Sequence, residues 1–173
     1  MRRRETGFSL IELLVVVAII LIIAAIAIPS LMKSRMAANE ATAVSSLRVI
    51  NTAAAAYHST YGNGFPPTLA ALGPGVPATC DLSDLVDANL GTAPFQKSGY
   101  QFAYNPLAVR AVTPAGCAAP GGEGFVAQGN PTSVGMSGQR SFCVDSSGVI
   151  RFDGTGAAFG MGAICPIGAT ALQ

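Results

Sequence analysis

Every residue from Leu13 to Ile28 is apolar, and Leu10 and Ile11 extend the run across a single charge, Glu12. Phe8 to Ile28 is 21 residues, roughly 30 Å of α-helix at ~1.5 Å per residue, the hydrocarbon thickness of a bilayer. A helix apolar on all sides needs lipid or other helices around it. Beyond Pro29 the pattern changes. Residues 30–61 contain no Gly or Pro, and Ala37, Val44, Leu47, Ile50, Ala54, Tyr57 and Tyr61 recur at steps of three, four or seven. That is one apolar stripe of helical period, with Lys33, Arg35, Glu40 and Arg48 as its polar relief. Together the two patterns predict one helix over 8–61, roughly 80 Å long. Its first half is greasy all round; its second half offers one face to a packed head. Pro29 removes an amide donor and crowds the preceding turn, which predicts a kink or local opening there.

Gly62-Asn63-Gly64-Phe65-Pro66-Pro67 ends the helix with turn residues. Thr68–Leu72 reads as a short turn. Asp81–Leu90 reads as a short helix capped by Asp81 or Ser83 and stopped by Gly91. From Gly99 the period becomes two: Tyr100, Phe102 and Tyr104 alternate with Gln101 and Ala103, a half-buried strand. Val109–Val112 and Phe125–Gln128 are weaker strand candidates. Ser141–Val144 and Val149–Phe152 flank Asp145-Ser146-Ser147-Gly148, a hairpin with a four-residue loop. The tail from Gly154 is mostly small residues, with Cys165 placed to pin it to that hairpin. The reading is α+β: a long N-terminal helix packed on an antiparallel β-sheet head. Residues 62–98 form the helix-to-sheet loop, and 99–173 the head with its disulfide-stapled C-terminal region.

Charge and composition narrow the classes. Only 11% of the 173 residues are charged and half are hydrophobic, against a usual charged share of roughly 25%. A disordered chain is excluded, and a formal net charge of +1 gives no electrostatic basis for nucleic-acid binding. Arg2, Arg3 and Arg4 crowd the first residues beside Glu5; without them the balance is slightly acidic. The lone histidine, His58, has no evident acid partner and reads as a helical surface residue. No nucleophile elbow is present, and Gly121-Gly122-Glu123-Gly124 lacks the strand-to-helix setting of a phosphate loop. Asp145–Gly148 with Asp153 reads as a turn in preference to a calcium loop. Tyr57, Tyr61, Phe65, Tyr100, Phe102 and Tyr104 read as core or interface packing in preference to a stacking platform for bases. No catalytic residue, metal or cofactor is expected.

Cys80, Cys117, Cys143 and Cys165 form no CxxC pair. Widely spaced, even in number and without metal spacing, they point to disulfides and an oxidising compartment. Four cysteines allow three pairings. Cys80–Cys117 with Cys143–Cys165 is preferred because it closes two sequential loops.

The arginines ahead of the apolar run predict a cytoplasmic N-terminus, with the body delivered across the membrane. A cleaved secretory signal peptide fits poorly, because the run is too long and Ile28-Pro29-Ser30 is a poor cleavage site. A plain anchor leaves Glu12 unexplained, since a charge at bilayer depth costs about 2.5–3.5 kcal/mol on insertion scales. Gly7-Phe8-Ser9-Leu10-Ile11-Glu12-Leu13 resembles the processing motif of type IV prepilins and the related pseudopilins. In that family a membrane peptidase cuts after the glycine and methylates the new N-terminal residue. The resemblance implies a leader of residues 1–7, cleavage between Gly7 and Phe8, N-methylation of Phe8, and assembly through Phe8, Glu12 and Pro29. It implies the type IV pilin fold, a homo-oligomeric helical filament, and prepilin peptidase and pilus machinery as partners. The chain would sit in the inner membrane before assembly and in an extracellular pilus after it, serving adhesion, twitching motility, DNA uptake or secretion. The alternatives are a pseudopilin of a type II secretion system and a stand-alone single-span binding protein.

Overall fold

The computed structural model describes residues 8–159, 165 and 170–172. The chain divides into two compact units, residues 1–35 and 36–173. One helix, α1 (Leu10–Tyr61), carries residues of both. It begins two residues later than the apolar pattern places it, because Ser9 occupies the cap position. The leader expected at 1–7 lies outside the described residues.

In the first unit no other described residue covers the helix. Fifteen large apolar side chains between Phe8 and Ile28 are exposed, from Phe8 at 86% to Val17 at 46%. Hydrating them all, at about 1.5–3 kcal/mol each, would cost on the order of tens of kcal/mol. This helix is long and apolar enough to cross a membrane.

In the second unit α1 is amphipathic. Ala43, Leu47, Ile50, Ala54 and Tyr57 are fully buried on one face. They share a core with Tyr100, Phe102, Phe125, Phe142, Val144 and Ile150 of the sheet. The stripe expected from sequence holds from Val44 to Tyr61, but Ala37 is exposed. On that side of the helix the residue met by the head is Glu40, which sequence assigns to the polar face and the structure buries.

The sheet is an antiparallel meander of β1 (Gln96–Lys97), β2 (Tyr100–Val109), β3 (Gly122–Pro131), β4 (Ser141–Asp145), β5 (Ile150–Asp153) and β6 (Thr170–Ala171), in sequence order. The period-two stretch from Tyr100 forms β2, where Tyr100 and Phe102 point into the core and Gln101 is exposed. Phe125–Gln128 falls within β3. Val109–Val112 is not a strand of its own. Pairing ends at Val109 opposite Gly122, and Ala111 onward leaves the sheet as an exposed loop. The β4–β5 hairpin forms one residue out of the expected register, with Asp145 inside β4 and residues 146–149 in the loop.

Between α1 and the sheet lie a 3₁₀ turn (Leu69–Leu72), capped by Thr68, and a single helical turn, α2 (Ala88–Gly91), capped by Asp87. The helix expected over 81–90 is absent from 81 to 87. Its amides are used elsewhere: Ser83 donates to the Ala71 carbonyl, Asp84 to Gly73, and Leu85 and Val86 to Leu72. Asp84 is also left-handed, at φ 54°, which no α-helix accommodates. Asp81 caps nothing in that segment and instead accepts from the Ala118 amide at 2.9 Å. The loop expected over 62–98 contains β1 as well. Its start is anchored by an antiparallel bridge of Phe65 with Gly122. Gly121 is required beside that bridge, because a Cβ there would lie 2.3 Å from the carbonyls of Asn63 and Phe65.

Glu40 ties the head's sheet to the helix. One carboxylate oxygen accepts from the amides of Gln139 (2.8 Å) and Arg140 (3.1 Å), and the other from Arg140 Nε at 2.8 Å. Arg140 Nη2 completes a fork at 2.7 Å. Its guanidinium also lies over the Phe142 and Phe152 rings. Burial pushes the Glu40 carboxyl up, but the bonds from Gln139 and Arg140 outweigh it and leave it below its ordinary value of 4.5. A depressed carboxylate contributes stability that is fully present above its ordinary value and lost as pH falls through its folded one. We therefore expect the urea midpoint to drop on acidification below pH ~4.5. Glu40→Gln will cost about 1–3 kcal/mol at neutral pH and flatten that acid dependence. An unchanged pH profile in Glu40→Gln would contradict this role.

Candidate functional site

The sequence-predicted assembly residues Phe8 and Glu12 lie in the first turn of α1 and just before it. Phe8, Ile11, Glu12, Val15 and Val16 line one shallow surface depression. Their spacing puts them on one helical face. Gly7 lies outside the described residues. Pro29 sits within α1.

The Glu12 side chain turns back on the helix start. Its Oε2 accepts from the Ser9 amide at 3.0 Å, and Leu13 N donates to the Ser9 carbonyl at 3.3 Å. Ser9 is thus the cap and Glu12 the third helical residue, one half of a capping box. The carboxylate also faces the positive end of the helix dipole. Ser9 was not singled out from sequence, although its S-x-x-E spacing ahead of an apolar run carries the signal. The bond gives Glu12 a neutral partner within its own chain. It gives it no counter-charge, and the side chain remains exposed.

The magnitudes rank the competing terms. Moving Glu12 to bilayer depth costs about 2.5–3.5 kcal/mol. Covering the surrounding aliphatic surface returns roughly ten times as much. Cover by lipid or by a helix bundle would therefore outweigh the cost of carrying the acid along. The acid then becomes the polar group in that segment most in need of a partner.

The other candidates resolve into structural roles. Tyr57, Tyr100 and Phe102 are core residues, and Phe65 packs against both Phe125 and His58. His58 is exposed and stacks on Phe65 at 5.0 Å. Asp145 accepts from Ser147 N and Oγ and pairs with Arg151 at 3.0 Å. Burial pushes that carboxyl up, while the Ser147 and Arg151 contacts bring it below its usual range. Among the described residues no group of three or more His, Cys, Asp or Glu could hold a metal ion. Cys80 is bonded to Cys117 and Cys143 to Cys165. The second bond ties the tail to β4, and Thr170–Ala171 pairs alongside β5.

Pro29 leaves the Ala25 carbonyl without its usual amide donor. In Pro29→Ala that donor is restored. Backbone hydrogen exchange of the detergent-solubilised chain is expected to slow about five- to tenfold around residues 26–33, the equivalent of one hydrogen bond. Unaltered exchange in that window would show that the proline does not weaken the helix.

The chain was compared with known families, curated proteins and solved structures. Residues 2–28 match the family model described as the prokaryotic N-terminal methylation motif. Neither the curated proteins nor the solved structures give a match. The matched segment includes Phe8, Ser9, Glu12 and the exposed apolar helix, and the head behind it is an antiparallel sheet. The chain thus carries the signature of the type IV prepilins on an α+β fold consistent with that of pilins.

Proposed function

We propose that this chain is the precursor of a type IV pilus subunit, a structural protein whose activity is its own polymerisation. Prepilin peptidase removes residues 1–7 after Gly7 and methylates the amino group of Phe8. The mature chain waits in the inner membrane with its head on the far side, and the pilus machinery then moves it into an extracellular fibre. One observation carries this reading: residues 10–28 form a helix that no other described residue covers, and its sole acid lies one turn from the proposed new N-terminus.

The chemistry of cleavage supports it. Removing Arg2, Arg3 and Arg4 takes away charges that hold the segment at the cytoplasmic face. It also creates a cationic amine at Phe8. In a bundle of such helices, Glu12 of one copy can exchange its Ser9 amide for the Phe8 amine of a neighbour. Transfer from lipid to bundle exchanges one apolar environment for another. The charge pair therefore fixes the register of subunits, while apolar burial supplies cohesion. Cys80–Cys117 and Cys143–Cys165 suit a head that functions outside the cytoplasm.

Intact-mass analysis of the native protein is expected to show loss of residues 1–7 and one added methyl on Phe8. Glu12→Ala is expected to remain membrane-bound and processed, yet to be missing from sheared surface fibres. Retention of the arginine leader, or normal fibres built from Glu12→Ala, would overturn the proposal.

A further inference from the structure

The two disulfides differ in their surroundings. Cys143 and Cys165 are both buried, in an apolar cluster with Val126, Leu107 and Phe159. Cys80 is buried at 5% exposure, but polar side chains crowd its sulfur. The Tyr57 hydroxyl donates to the Cys80 carbonyl at 2.9 Å and lies equally close, 2.9 Å, to Cys80 Sγ. Asn63 Nδ2 lies 3.5 Å from the same sulfur and donates to the Tyr57 oxygen at 3.2 Å. Asn63 is itself fixed by the Ala119 carbonyl (3.0 Å) and the Gly121 amide (3.1 Å). Burial, foremost, pushes the Tyr57 hydroxyl up, so it stays a protonated donor. The bonded partner, Cys117, is half-buried on a loop where residues 110–113, 115, 116 and 118 are all exposed. The Asp81 carboxylate next to Cys80 is engaged by the Ala118 amide.

We infer that Cys117 is the point at which an incoming thiolate opens or closes the Cys80–Cys117 disulfide, and that Cys80 is the leaving and resolving sulfur, held by Tyr57 and Asn63. In thiol–disulfide exchange the attacked sulfur must be accessible, and the better leaving group is the sulfur whose thiolate is better stabilised. The incoming thiolate forms a bond to Cys117 Sγ. The Cys80–Cys117 bond breaks, and its electron pair departs on Cys80 Sγ, toward which the Tyr57 hydroxyl turns from the Cys80 carbonyl while the Asn63 hydrogen now given to the Tyr57 oxygen is shared with the sulfur. The products are a mixed disulfide on Cys117 and a thiolate on Cys80, with no net change in oxidation. Closure is the same path reversed: the Cys80 thiolate attacks Cys117 Sγ and expels the incoming group as its thiolate. Among the described residues no polar donor is placed in this way at Cys143–Cys165, and both cysteines are buried. Its exchange must await opening of the packing around β4.

The test treats the folded, detergent-solubilised chain with limiting glutathione, quenches with N-ethylmaleimide and maps the adducts by peptide mass spectrometry. Glutathione is expected on Cys117 and maleimide on Cys80, with Cys143–Cys165 intact. Glutathione on Cys80, or opening of Cys143–Cys165 first, would overturn the inference. That readout comes from the unaltered chain and does not depend on how any variant folds. In Tyr57→Phe, which keeps the ring, exchange at Cys117 is expected to slow about three- to tenfold, the loss of one hydrogen bond to a charged leaving group. An undiminished rate in that variant would remove Tyr57 from the assignment.

Discussion

An unshielded apolar helix cannot remain in water, and this constraint organises the rest of the molecule. The side chains of residues 8–28 face outward in every direction. No part of the described chain covers them, and the cover proposed for them is external, either lipid or copies of the same helix. The two environments are similar in polarity. A subunit can therefore pass from one to the other without paying the full hydrophobic transfer from water. The head has no such freedom. Its core is closed by Tyr57, Tyr100, Phe102, Phe125 and Phe142, and it is stapled by two disulfides.

Within the greasy segment, the role proposed for Glu12 is to convert insertion into specificity. Apolar contacts are non-directional and tolerate sliding by a turn. A carboxylate in a low-dielectric setting does not tolerate an unpaired position, because the lost pairing and solvation amount to several kcal/mol. In the proposed precursor the capping bond to Ser9 would give the acid a neutral partner in lipid while leaving its charge open to a better one. Glu40 shows the contrasting solution in the second unit. There the acid is saturated by two amides and a forked guanidinium, and it serves the fold alone.

The sequence was most legible where one periodicity dominated. The apolar run, the stripe on α1 from Val44 onward and the Tyr100–Phe102 alternation could be read because their patterns match their burial, and the β4–β5 hairpin could be read to within one residue of register. Legibility failed where tertiary partners competed with local preference. Asp81–Leu90 has helical composition, yet the amides of residues 83–86 are taken by carbonyls of residues 71–73. Glu40 looked like a surface residue because its partner, Arg140, lies a hundred positions away. Of the N-terminal site, Phe8, Glu12 and Pro29 could be picked out from the linear pattern. The capping role of Ser9 needed the helix boundary. The polar setting of Cys80 depends on Tyr57 and Asn63, which no spacing rule connects to it.

Imaging of sheared surface fibres at side-chain resolution tests which partner Glu12 finds outside its own chain. Residues 8–28 are expected in the fibre interior, with each Glu12 carboxylate within ion-pair reach, about 4 Å, of a neighbouring copy's Phe8 amine. A fibre in which Glu12 keeps only its own Ser9 amide, or in which the apolar helices lie outside the core, would contradict this expectation.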